Sequence, residues 1–244
     1  MSSQELAEDV RALREEGCSP KEIARALGVR RADVAGLVRE IAAEHAASAP
    51  ERALAGCWVS PGWSDGLSVT ERPDWPDVGA SDGGTSGLVT LLVAREHRHG
   101  SVSVCGYLVD VYCLGVKNAL GPQVMKTHEL SGFVRQYFSA YMRAPLEAPI
   151  ELARDLALGA VEYARGLGFE AHRDLEPARG HLGPWRGPSA IRFGREGKPM
   201  YVEGPHDNAA RVLRTLEGSV GRDNFHFTVS VGPGDAVLGG RSDS

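Results

Sequence analysis

The 244 residues, 42% apolar and 24% charged, have the make-up of a folded protein with room for one large core domain and a small accessory module. A formal net charge of -5 excludes a surface that binds nucleic acid everywhere, but it allows a local basic patch. No stretch reaches the roughly 18 uninterrupted apolar residues of a membrane span, and the N-terminus lacks the basic start and apolar core of a secretory signal. Cys18, Cys57, Cys105 and Cys113 include no pair at the two-residue spacing of a zinc knuckle or redox motif. The expectation is a cytoplasmic protein with reduced thiols and no membrane partner.

Residues 3 to 44 read as three short helices. Leu6, Val10 and Leu13 recur at helical intervals up to Gly17. Ser19 then caps a second helix, with Pro20 in its first turn and Glu22 at the capping-box position, that buries Ile23, Ala24 and Leu27. Gly28 supplies a tight turn, and a third helix over 31–44 offers Val34, Leu37, Val38 and Ile41 to the same small core.

The phrase PKEIARALGVRRADVAGL resembles the helix-turn-helix family of DNA-binding modules. Ala24 matches the small residue where the two helices cross, Gly28 the turn glycine, and Val34 and Leu37 the apolar positions of the second helix. The resemblance implies a recognition helix whose exposed start carries Arg30, Arg31, Asp33 and Ala35, with double-stranded DNA as partner. Lys21, Arg25, Arg30 and Arg31 are then the candidate DNA-binding residues. Charge opposes this: residues 1–47 hold seven Lys or Arg against nine acids. A homodimer would offset that by doubling the phosphate contacts.

Composition shifts after Ala46. Residues 47–87 read as a linker and a tryptophan-rich irregular arm, in which Trp58, Trp63 and Trp75 pack against the large domain rather than stack on a ligand. An α+β core domain over 88–232 follows, a mixed or antiparallel sheet packed with helices, and 233–244 form a flexible tail. Within it, 85–96 and the apolar run 101–118 form a hairpin, and NALGPQV interrupts the chain. Helices are predicted over 127–142 and 145–169, the second with an alanine-rich stripe from Ile150 to Ala164 that another element can approach closely. Residues 170–189 read as a loop holding His172, Asp174, His181 and Trp185. Two short strands joined by a turn at GREGK come next, then a helix capped by Asp207 and a last strand, FHFTVSV.

Chemistry, if the core domain has any, centres on the apolar run. Asp110 and Lys117 are polar groups on the most apolar part of the chain, suited to an ion pair or to holding a ligand, and Cys113 lies between them. A helical turn after Cys113 would bring Lys117 close enough to lower the thiol pKa, with His172, His181, His206 or His226 as a distant base. The catalytic candidates are therefore Cys113, Asp110 and Lys117, weighed against a buried structural thiol and a structural ion pair. Arg195 and Lys198 in GREGKP form an anion-binding candidate or a solvated turn. Without a Walker loop, GxGxxG, GxSxG or HExxH pattern, no cofactor and no metal are expected.

YLVDVYCLGVKNA, EYARGLGFEAHRD and IRFGREGKPMYVEGP are similar to phrases in bacterial proteins of unassigned function, which implies a bacterial setting and no particular activity. The leading expectation is a bacterial DNA-binding transcriptional regulator whose C-terminal domain senses a small molecule, dimerises or docks a protein partner. The alternatives are an enzyme with a pocket around Asp110, Cys113 and Lys117, and a protein-interaction scaffold.

Overall fold

In the computed structural model, which describes residues 3–15, 20–30, 34, 36–37, 51–72, 74–78 and 87–229, the apolar run 101–118 folds as an inner strand of a five-stranded antiparallel sheet, a turn over 111–114 and the start of the next strand. The chain divides into two compact units, Met1–Glu51 and Arg52–Ser244. In the larger, β1 (Leu54–Val59), β3 (Leu88–Glu96), β4 (Ser101–Asp110), β5 (Gly115–Lys126) and β6 (Leu146–Glu147) make the sheet in the order β5-β4-β3-β1-β6. The predicted hairpin is β3 and β4, paired without interruption from Leu88 opposite Asp110 to Glu96 opposite Val102.

Alternation sorts β4 between two cores. Cys105, Tyr107 and Val109 face one, with Cys57, Val59, Leu91 and Val93, whereas Val102 and Val104 face the other, with Leu92 and Ala94. Because helices cover both faces, the strand has no solvent side and reads as nearly continuous apolar sequence. The second face is closed by α3 (Leu130–Tyr137) through Leu130, Val134 and Phe138.

The first face is closed by α4, a continuous helix over 150–166 made of Ile150–Arg154, a π-helical stretch Asp155–Gly159, and Ala160–Gly166. Its stripe of small side chains is buried as expected: Ala153, Ala157, Ala160 and Ala164 are all within 1% of full burial. Gly115 uses the space. At φ +69°, a Cβ there would fall 2.9 Å from the Ala160 carbonyl oxygen and 3.0 Å from the Ala164 methyl. In the π-helical stretch, buried Asp155 accepts hydrogen bonds from Trp185 Nε1 at 2.8 Å and Ala190 N at 2.7 Å, fastening the following segment to α4.

Several elements differ from the sequence reading. Residues expected as linker and arm contribute β1 to the sheet, between β3 and β6, with Trp63 and Trp75 buried in the first core. The break expected at NALGPQV does not end the strand, since β5 runs through it, but the β4–β5 register shifts around Gly121–Pro122; the proline is tolerated at this irregularity in a strand on the edge of the sheet among the described residues. The loop expected at 170–189 contains α5 (Leu175–Leu182), which buries Leu175, Ala178 and Leu182 on one side and accepts a 2.8 Å hydrogen bond at the Ala178 carbonyl from the Tyr107 hydroxyl. Pro177 lies in its first turn, where a missing N–H costs no helical bond.

The two strands expected around GREGK do not pair with each other as a ladder. β7 (Ile191–Arg192) pairs with β2 (Ser68–Val69), and β8 (Met200–Val202) pairs in parallel with β9 (His226–Thr228). The last helix, α6 (Ala209–Val220), is capped by Asn208 rather than Asp207: the Asn208 side chain accepts from Arg211 N at 3.0 Å.

The smaller unit contains α1 (Ser3–Glu15) and α2 (Pro20–Leu27), whose contact buries Val10, Ile23 and Ala24 together with Val34. Val34, Gly36 and Leu37 are helical; the rest of the helix expected over 31–44, Arg31 included, lies outside the described residues, as do the Ser19 cap and the 233–244 tail. No helix among the described residues is long and apolar enough to cross a membrane.

Candidate functional site

In the smaller unit, the 3.6-residue period of α2 separates two kinds of side chain. Ile23 and Ala24 are buried and Leu27 half-buried, while Lys21, Glu22 and Arg25 are exposed. Lys21 and Arg25 are one turn apart on one side. The helix ends through Gly28 at φ +66°, and the Val29 amide bonds back to the Ala24 carbonyl at 3.1 Å. Arg30, which follows directly, is exposed, and its carbonyl accepts from Val34 N at 3.3 Å.

In the larger unit, Asp110 ends β4 and organises the turn into β5. Its Oδ1 accepts from the backbone amides of Tyr112 and Cys113, both at 2.9 Å, while the residue is only 4% exposed. Burial raises the Asp110 carboxyl from 3.8 to about 6, against the amides of Tyr112, Leu114 and Cys113 and, last, the charge of Lys117, which act to lower it. The aspartate therefore does for this turn what an N-cap does for a helix: it satisfies amides that the ladder cannot reach.

Lys117 is not the ion-pair partner of Asp110. Residues 111–114 form a turn and Lys117 already belongs to β5, so the helical spacing expected between Cys113 and Lys117 does not arise. Lys117 Nζ donates instead to Asp207 Oδ2 at 2.7 Å, an oxygen that also accepts from Gly204 N at 2.9 Å. The Tyr201 hydroxyl lies 3.5 Å from the same atom. This cluster ties β5 to the loop before α6. Asp207 and Tyr201 were missed as partners in the sequence because Asp207, next to a helix start, has an obvious local role as a cap.

Cys113 is fully buried among Leu167, Tyr201, Val212, Leu216 and Phe225. Burial first, and then the Asp110 charge, push its thiol above the ordinary range, with Lys117 only partly opposing them. Of the four histidines considered as a base, His172 pairs with Asp174 at 3.4 Å and His181 bonds Ser103 Oγ at 2.9 Å, while His206 and His226 are exposed. Burial also lowers the His181 pKa, disfavouring its cation. Asp110 and Cys113 are thus brought together and Lys117 is drawn aside, an arrangement that can brace a hairpin but holds its thiol away from substrate and base. In the native protein, Cys113 should resist a mild thiol reagent at neutral pH until the chain unfolds. Rapid labelling of its peptide, read by mass spectrometry, would contradict this geometry.

Arg95 is a further polar residue that its strand position did not reveal. Only 5% exposed, it donates through Nε to the His181 carbonyl and through Nη1 to the Arg52 carbonyl, each at 2.7 Å. Among the described residues, no group of three or more His, Cys, Asp or Glu side chains is placed to hold a metal ion. Compared with protein-family models, curated proteins and solved structures, the chain matches none of them.

Proposed function

We propose that the protein is a DNA-binding regulator in which Met1–Glu51 is a helix-turn-helix module and the larger unit senses a ligand, dimerises or docks a partner. The observation that supports this reading is the division of α2 and its exit: Ile23 and Ala24 are buried against α1, Lys21 and Arg25 are exposed, and Gly28 turns the chain at φ +66°. A small residue at the crossing and a left-handed glycine after it are what two closely crossing helices require. Lys21 and Arg25 would meet phosphates, and Arg30 with Arg31 would stand at the start of the recognition helix. Because the first 47 residues carry more acids than bases, a symmetric dimer with two such modules suits the electrostatics better than one module alone.

Fluorescence anisotropy with a labelled duplex at fixed ionic strength tests the reading. The variant Arg30→Ala with Arg31→Ala should bind about tenfold or more weakly, and its salt slope should be smaller by about 2. Unchanged affinity, with the circular dichroism spectrum of the wild type retained, would remove those residues from the interface. If the wild type shows no duplex affinity at low salt, the DNA-binding reading itself fails.

A further inference from the structure

The GREGK turn has a property that its sequence alone left open. A surface cavity of about 420 Å³ is lined by Arg195, Glu196, Lys198, Met200 and His226. His226 reaches it from β9, because the parallel pairing sets Met200 opposite His226 and the His226 amide bonds the Pro199 carbonyl at 2.9 Å. Arg192 extends across the same turn: a Cβ on Gly197 would fall 2.7 Å from its Nε. Arg195 and Lys198 therefore line the cavity together with Glu196, and Arg192 lies beside Gly197 in the same turn, in a chain whose net charge is -5.

Among the described residues, Arg192, Arg195, Lys198 and His226 form no ion pair with any acid. Arg195 Nη1 lies 3.6 Å from the Met200 sulfur, a weak acceptor that steadies the guanidinium without neutralising it. The turn's own amides are already bonded within the protein: Glu196 N bonds Gly66 O of a distant loop, Gly197 N bonds Gly194 O and Lys198 N bonds Arg195 O. Side chains rather than backbone would therefore do the recognising. Like charges close together repel each other, and an anion between them lowers that cost.

We infer that this cavity binds a small anionic ligand bearing a phosphate group. The guanidinium of Arg195 offers a planar fork to phosphate oxygens, Lys198 a point charge and His226 a further polar contact, while Met200 gives an apolar wall to the rest of the ligand. The volume is that of a small-metabolite site. The inference does not depend on the DNA-binding reading, since it concerns the larger unit alone.

Isothermal titration of the full chain with inorganic pyrophosphate, at ionic strength held constant with sodium chloride, tests it. Binding should occur with a Kd on the order of 1 mM or tighter. Arg195→Ala with Lys198→Ala should weaken binding about tenfold or more, whereas Glu196→Gln should strengthen it. Thermal unfolding midpoints close to that of the wild type would confirm that both variants fold. Absence of binding up to about 10 mM, or equal affinity in wild type and the double variant, overturns the proposal. A parallel titration with duplex DNA separates the two sources of phosphate. A loss of duplex affinity as large as the loss of pyrophosphate affinity would make this a nucleic-acid contact and overturn the small-ligand assignment.

Discussion

Asp110→Ala should destabilise the protein by about 2–4 kcal/mol, because it leaves the Tyr112 and Cys113 amides without their acceptor inside a buried turn. Asp110→Asn should behave differently. It keeps an oxygen for the two amides and removes the charge, so its effect depends on pH. Burial raises the folded carboxyl to about 6 from an ordinary 3.8, so the folded chain holds this proton more tightly than the unfolded one. The associated stability is fully present below pH 3.8 and is lost as pH rises through 6. Relative to Asp110→Asn, the wild type should therefore lose up to about 3 kcal/mol between pH 4 and pH 7. Urea unfolding of both proteins across that range measures the difference directly. A difference that stays constant with pH would mean that the amide hydrogen bonds fully offset burial, and one that grows in favour of the wild type as pH rises would mean that they outweigh it. Lys117 does not alter the sign, since its ammonium is bonded to Asp207 at 2.7 Å.

Gly115→Ala should cost about 2–5 kcal/mol, the sum of left-handed backbone strain and overpacking against a helix. The methyl would enter the space between β5 and α4, where the nearest atom is the Ala160 carbonyl oxygen at 2.9 Å. A backbone atom of a packed helix cannot rotate away as a flexible side chain can. Gly100→Ala supplies the control. It has a similar φ of +64° but no atom within 4 Å of the new methyl, so it should cost only about 1 kcal/mol of strain. Thermal or urea unfolding of the two variants separates conformation from packing. Equal losses would show that β5 and α4 can part without cost.

The candidate residues show where reading along the chain stops being informative. Asp110 was conspicuous because a carboxylate among Val, Leu and Tyr needs partners, and its partners turned out to be the amides two and three residues ahead. Such a local solution is open to sequence reasoning. The partner of Lys117 is not, since Asp207 lies ninety positions away and sits beside a helix start that offers it a local role as a cap. Arg192, Arg195, Lys198 and His226 are similar: the pair within GREGK is visible, but the contribution of His226 depends on a parallel pairing between strands separated by α6. The hairpin expected there failed for the same reason, because β7 and β8 each find a partner elsewhere.

By itself the sequence determined the features that depend on neighbours: the helical periods of α1, α2 and α4, the β3–β4 hairpin, the small-residue stripe beneath Gly115, and the division of α2 into buried and charged sides. These follow from side-chain spacing, which a repeat of 2 or 3.6 residues displays directly. Tertiary structure alone decided that β1 joins the sheet beside β3, that α5 forms over a stretch holding Pro177 and Gly180, that Lys117 turns to Asp207, and that Cys113 is enclosed rather than presented. Each depends on contacts between distant segments, whose burial outweighs weak local preferences, and a linear pattern does not carry that balance.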